Sequence, residues 1–397
     1  MTDLTPDFGN ISSPNALAES LAARLIQTGR DLEAALANPL IVSVPKQFAH
    51  LPRDINNPPF WDVPANIANA PWNMSDERLL AEGPERFTIT ERINGVVSNF
   101  YEVIKTADGY VGLPKNGAEG PGIMGVGYNE KGEPTPVTEG ADFAGFAKIG
   151  KRLKLLLGQR KPLSGEDIFV FTMLGGFVGK GETPRYSQMR EFFEEAVSRS
   201  FEIEEDLKQA FDEREDHPEN LQAIADKYDL DVSIFNEPAM PEFKFEILKH
   251  RDSEFITKLS NLLEESLSSS YEALAKGAGR ACSRQIFVHI YAGLFDMDAL
   301  DRLLKEHNLA LDGSDEIGKP ELYDLADIDS QRMFGSQGLF LLFSLATVLT
   351  KNPELAAEPE IVAQIEQYIK SAEAHLDATN ERIMAKQQLV APVAKPA

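Results

Sequence analysis

The sequence predicts an α+β fold that is predominantly α-helical. Three observations predict it. Apolar residues recur at helical spacing over most of the chain, strict two-residue alternation is confined to a stretch near residue 90, and two runs, Gln285–Phe295 and Met333–Thr350, are apolar on nearly every side. A small antiparallel β-meander is expected in the N-terminal part, a helical domain in the C-terminal part, and extended arms at both termini.

With 397 residues, 43% of them hydrophobic, the chain exceeds what one core usually holds. Charge divides it: residues 1–162 carry a net −3 and residues 163–397 a net −21. The expected units are residues 1–84, an N-terminal helix and proline-rich arm; 85–162, a small β-containing domain with a glycine-rich loop and a basic helix; 163–390, an acidic helical domain; and 391–397, a tail.

Ser13-Pro14 is a helix start, and Leu17, Leu21, Leu25, Leu32 and Leu36 continue it at helical spacing to about residue 37. Eight prolines from Pro39 to Pro84 then exclude a long helix, while Phe60, Trp61 and Trp72 need a surface to cover them, so this stretch reads as an extended packing arm. Phe87, Ile89, Glu91 and Ile93 alternate with polar residues, Asn94-Gly95 turns the chain into Val96–Ile104, and Asp108-Gly109 turns it again into Tyr110–Leu113. Eight glycines between Gly109 and Gly132 suit a long irregular loop.

Beyond Asp142 the pattern predicts helices over Phe143–Leu157, Ser164–Phe177, Met189–Val197, Pro218–Tyr228, Ser253–Ala275, Ala299–His307, Met333–Thr350 and Glu358–Gln388. The runs Gln285–Phe295 and Met333–Thr350 are expected to form the centre of the C-terminal helical domain. Met333–Thr350 is long enough to approach a membrane span, but its polar first third favours a buried helix.

A single cysteine, Cys282, excludes an internal disulfide and a cysteine-built zinc site, and the acidic N-terminus does not resemble an export signal. A net charge of −24 disfavours general binding to nucleic acid or to anionic membranes.

Gly175-Gly176-Phe177-Val178-Gly179-Lys180-Gly181 has the order of a phosphate-binding loop. It is one residue short of the P-loop spacing, and Gly181 stands where a hydroxyl is required, so it reads as a turn. The six bases from Lys148 to Lys161 suit either a solvated face or an electrostatic contact between copies. Asp296, Asp298 and Asp301, like Asp324, Asp327 and Asp329, lack a calcium-loop pattern and read as helix starts. The six histidines show no zinc spacing. The acids from Glu194 to Glu219 read as a solvated helical face, with nucleic-acid mimicry the alternative.

These features together point to a structural or assembly subunit of a large homo-oligomer, such as a viral shell or filament, without catalysis, cofactor or metal. The interface residues would be Phe60, Trp61, Trp72, Lys148, Lys151, Arg152 and Lys154. Its partners would be other copies or other subunits, and its compartment the cytoplasm or a virion. The rival expectations are an enzyme binding a phosphorylated ligand at the Gly175–Gly181 loop and an acidic inhibitor imitating nucleic acid.

Overall fold

The computed structural model describes residues 13–36, 85–93, 96–106, 109–114, 123–128, 134–160, 170–179, 182–237, 239–276, 285–314, 317–334 and 336–390. The stretches that hold the proposed arms, including Phe60, Trp61 and Trp72, lie outside the described residues, as do Lys180 and Cys282.

The fold is α+β, with more residues in helices than in strands. The first helix, α1 (Pro14–Leu36), starts where the Ser-Pro pair predicts it, with the Ser13 hydroxyl accepting from the Ala16 N–H at 3.3 Å. The predicted meander is present: β1 (Arg86–Ile93), β2 (Val96–Thr106), β3 (Gly109–Pro114) and β4 (Ile123–Tyr128) pair antiparallel in sequence order. The presence of β3 and β4 corrects the irregular loop expected over Gly109–Gly132.

β4 leads into the long central strand β5 (Pro134–Ile149), which turns at Gly150 into β6 (Arg152–Arg160). The helix expected over Phe143–Leu157 is therefore a hairpin. Its apolar residues fit either period, but Phe143 and Leu156 face one side of the sheet while Ala144, Phe146, Leu153, Leu155 and Leu157 face the other. The described part of Ser164–Phe177 is also strand rather than helix. β7 (Val170–Thr172) pairs with β6, and β8 (Leu174–Phe177) pairs with β5.

A second correction concerns Gln285–Phe295, which is not a core helix. It forms β10 (Gln285–Leu294), parallel to β5 on one side and antiparallel to β9 (Ser268–Lys276) on the other. A strand paired on both edges and covered on both faces is as uniformly apolar as a buried helix. Ser253–Ala275 divides between a helix ending at Ser266 and β9. The Ser270 hydroxyl donates to the Ile290 carbonyl at 3.0 Å, a bond to the neighbouring strand that the serine run can make there. β11 (Glu321–Asp324) pairs with β6, so the sheet takes strands from both sides of residue 162.

Helices cover the two faces of this sheet. On one face lie α1, α8 (Gln337–Lys351) and α9 (Pro359–Val390), sharing a core of Leu25, Phe146, Ile290, Leu342 and Ile365. On the other lie α2 (Pro184–Ala196), α5 (Met240–Arg251), α6 (Ser253–Ser266) and α7 (Met297–Glu306), around Phe143, Phe192, Phe245 and Phe255. Between α2 and α5 the chain forms α3 (Glu205–Asp212), α4 (Leu221–Tyr228) and two short 3-10 turns. With α5 these build a third apolar cluster, which includes Leu207, Phe211, Phe235 and Phe243. Among the described residues, no helix is long and apolar enough to cross a membrane.

Candidate functional site: a buried carboxylate cluster

The site forms where β5, β8 and α2 meet. β8 lies antiparallel to β5, with Ala141 opposite Gly176 and Asp142 opposite Gly175. The chain then turns through Gly179 and enters α2. Thr183 caps that helix by accepting from the Tyr186 N–H at 3.2 Å, and Pro184 occupies the first helical turn. Glu182 sits in the turn and accepts from the Gly179 N–H at 2.8 Å.

Spacing along α2 places Glu191, Glu194 and Glu195 on the side that meets the sheet. Glu194 and Glu195 are only 8% and 9% exposed, so the solvated acidic face expected from Glu194 onward does not begin here. Glu195 accepts from the Gly175 N–H at 2.6 Å. Glu191 lies so close to the backbone of β8 that a Cβ on Gly176 would stand 2.3 Å from one of its carboxylate oxygens. Only a glycine leaves that seat open.

Arg190 is the cation of the cluster. Its Nε donates to Glu182 at 2.8 Å, one terminal nitrogen pairs with Glu194 at 2.8 Å and Glu191 at 3.0 Å, and the other donates to the Phe177 carbonyl at 2.8 Å. Asp142, partly buried on β5, accepts from the Gln337 amide at 3.1 Å, and the Gln337 carbonyl in turn accepts from the Met173 N–H at 2.8 Å. Gln337 opens α8, so the helical layer behind the sheet holds this acid in place.

The carboxylates outnumber the positive charge available, and the electrostatics follow. Burial raises Asp142 from 3.8 to about 7, opposed only in part by the Gln337 hydrogen bond. Burial also raises Glu191, with Arg190 opposing it. Glu194 is pushed up by burial and then by the Glu191 charge, and Glu195 by the same two causes in the same order. Arg190, although desolvated, is held firmly protonated by Glu191, Glu194 and Glu182. One oxygen of Glu194 and the amide nitrogen of Gln188 are buried without a hydrogen-bond partner.

The interface residues expected from sequence are not gathered at this site. Lys148 pairs with Glu358 at 3.3 Å, Lys151 with Glu360 at 2.6 Å, and Arg152 and Lys154 both pair with Asp324, all within the chain. Of the glycine-loop residues, Gly175 and Gly176 belong to β8, beside the acids. Asp296 caps α7 by accepting from the Ala299 N–H at 2.9 Å, as its position in the sequence implies. Sequence reading missed Glu182, Arg190, Glu191, Glu194, Glu195 and Asp142. The signal for the first five was present: a glycine pair followed by an acid, then an Arg-Glu pair and a Glu-Glu pair one helical turn apart.

No family model matches the chain, and no curated protein matches it. Among solved structures that do match is the crystal structure of a MutT/nudix family protein from Enterococcus faecalis. It is 10% identical, and the match covers 62% of this chain and 80% of that one at a TM-score of 0.30. The expectation of an assembly subunit without catalysis is corrected accordingly: the likeness found is to a MutT/nudix family protein. At that TM-score the likeness carries neither fold nor function, and the functional reading rests on the residues of the site itself.

Proposed function

We propose that this chain is a divalent-cation-dependent hydrolase of phosphate esters or anhydrides, an enzyme of the MutT/nudix kind. The observation that carries the reading is the set Glu191, Glu194 and Glu195 on one helix, with Glu194 and Glu195 buried and Glu191 and Glu194 sharing a single arginine, Arg190. Buried charge that is only partly neutralised is costly, and a chain that merely packs has no use for it. A donor set made wholly of carboxylates, without histidine or cysteine, suits Mg²⁺ or Mn²⁺, which engage substrate phosphates as well as the protein.

The unpartnered oxygen of Glu194 fits such an ion. Among the described residues, no three acids converge at ligand distance, since Arg190 draws Glu182, Glu191 and Glu194 towards itself. Glu191, Glu194 and Glu195 would hold the cation once turned from these contacts. When bound, the ion lowers the pKa of water and offsets charge on phosphate oxygens. Arg190 positions the acids, and the Gly175 N–H fixes Glu195. A carboxyl raised towards neutrality by burial can take a proton from water and return it at working pH.

The test is calorimetric titration with Mn²⁺, followed by assays of a panel of phosphomonoesters, phosphodiesters and pyrophosphate-linked nucleotides. Saturable Mn²⁺ binding, and turnover abolished in Glu194→Gln, are expected. A wild-type chain that binds no Mn²⁺ and cleaves nothing in the panel overturns the reading.

A further inference from the structure

We propose that Glu242, carried to the cluster by the helical unit inserted after α2, is a further ligand of the divalent cation; this rests on the function proposed above. The inserted unit spans α3 to α5 and has its own apolar core, so it does not need the acidic cluster in order to fold.

Three side chains of α5 set its register on α2. Lys249 Nζ donates to the Tyr186 hydroxyl at 3.1 Å. The Phe245 ring lies 6.0 Å from that of Tyr186 and 5.5 Å from that of Phe193. Lys244 Nζ donates to the Ser198 carbonyl at 2.9 Å. Contacts late in α5 fall early in α2, so the helices run antiparallel. Glu242 precedes Phe245 by one turn and shares its side of the helix, which brings it alongside the C-terminal half of α2, the part that carries Glu194.

An aliphatic residue or a lysine would serve docking there; a carboxylate does not. Oε2 of Glu242 is buried and has no hydrogen-bond partner, and the same is true of Oε1 of Glu194, a residue only 8% exposed. Two unpartnered carboxylate oxygens on neighbouring helices repel when both acids are charged, and each forfeits the hydrogen bonds it would make in water. The Glu242 charge accordingly helps to push up both Glu191 and Glu194. A dication between them removes the repulsion and supplies the missing partner of both oxygens. Lys244 and Lys249, the bases nearest on α5, are engaged with Ser198, Tyr186 and Glu246 and do not fill that role.

The inserted unit is then part of the site, and cation loading would tie it to the sheet. Mn²⁺ titration of the full chain by calorimetry, with melting temperature read at pH 8 with and without Mn²⁺, tests this for wild type, Glu242→Gln and Glu246→Gln. Glu246 lies one turn further along α5 and pairs with Lys249 at 2.7 Å, so it serves as the control. Glu242→Gln should weaken Mn²⁺ binding by roughly tenfold or more. It should also melt no lower than wild type without the ion, because it removes a repulsive charge at constant size, and Glu246→Gln should bind as wild type does. Wild type that binds Mn²⁺ alongside an equally tight Glu242→Gln variant overturns the ligand role and leaves the proposed function standing; wild type that binds none overturns both. Should Glu242→Gln fail to give a folded far-UV spectrum, Glu242→Asp, which keeps the charge but shortens its reach, is read in the same titration: weakened binding supports the ligand role, and unchanged binding overturns it.

Discussion

The backbone N–H of Gly175 donates to the Glu195 carboxylate at 2.6 Å, so a part-buried hydrogen bond ties the sheet to the acidic helix. Replacing Glu195 by Gln keeps an acceptor while removing a charge that burial disfavours; replacing it by Ala leaves the N–H unsatisfied. Without added cation at pH 8, the Gln variant should therefore be at least as stable as wild type, and the Ala variant about 1–3 kcal/mol less stable. Urea unfolding separates the two, and equal stability of both variants would rule out this role for the bond.

Gly176→Ala should damage the site while sparing the fold. The new methyl would stand 2.3 Å from one Glu191 oxygen and 2.4 Å from its carboxyl carbon. The side chain can yield where backbone could not, so Glu191 leaves its seat. Mn²⁺ affinity should fall roughly tenfold, as when a metal's supporting contacts are lost. An unchanged calorimetric titration would show that the seat does not matter.

Arg190→Met leaves Glu182, Glu191 and Glu194 without their shared cation. Removing one partner of a buried ion pair costs roughly 3–5 kcal/mol, and the loss should be largest at pH 8. At pH 5 Glu191 and Glu194, whose affinity for protons burial has raised, can neutralise themselves and most of the loss should disappear. A loss of stability in urea that is the same at both pH values contradicts this role for Arg190.

Sequence made some of the fold and site legible and concealed the rest for identifiable reasons. α1 and the β1–β2 hairpin follow from local chemistry, Ser13-Pro14 and Asn94-Gly95. Gln285–Leu294 was ambiguous in principle, because a parallel strand covered on both faces and a buried helix show the same unbroken apolar run; what decides between them is the pairing with β5, nearly 150 residues away. At the site, the acids of α2 were visible as a one-turn repeat. Their burial was not, since it depends on Gly176 admitting Glu191 and on Phe192 and Phe193 drawing the helix onto the sheet. Asp142, Gln337 and Glu242 come from distant elements, and no local spacing joins them to Arg190.

Asp142 sets a pH dependence of stability. Its folded pKa is raised from 3.8 to about 7, chiefly by burial, so the native state retains a proton that the unfolded chain has already lost. The stability it contributes is present in full below about pH 4 and is lost as the pH rises through about 7. Asn at this position imitates the neutral acid and can still accept from the Gln337 amide. Asp142→Asn should match wild type at low pH and melt above it at pH 8, without cation. A melting difference that does not grow between pH 5 and pH 8 would falsify the assignment.

The N-terminal helix should prove integral to the core formed by elements some 300 residues later. Leu25 of α1 is fully buried in the same cluster as Leu342 and Phe343 of α8. Tyr271 of β9 stacks on the Phe343 ring at 4.1 Å and donates its hydroxyl to Glu33 of α1 at 2.6 Å, so helix, helix and strand lock together at one point. Gly29 lets α1 approach this closely, as its Cβ would stand 2.9 Å from the Phe343 ring. Truncating Leu25 to Ala removes three carbons from a site with little room to collapse, at a cost of roughly 2–5 kcal/mol. If α1 belongs to the core, that loss lowers the midpoint of the transition that unfolds the sheet, read by near-UV circular dichroism. A helix that docks only peripherally would melt in a separate, earlier step and leave the main transition where it was, and that result would remove α1 from the core.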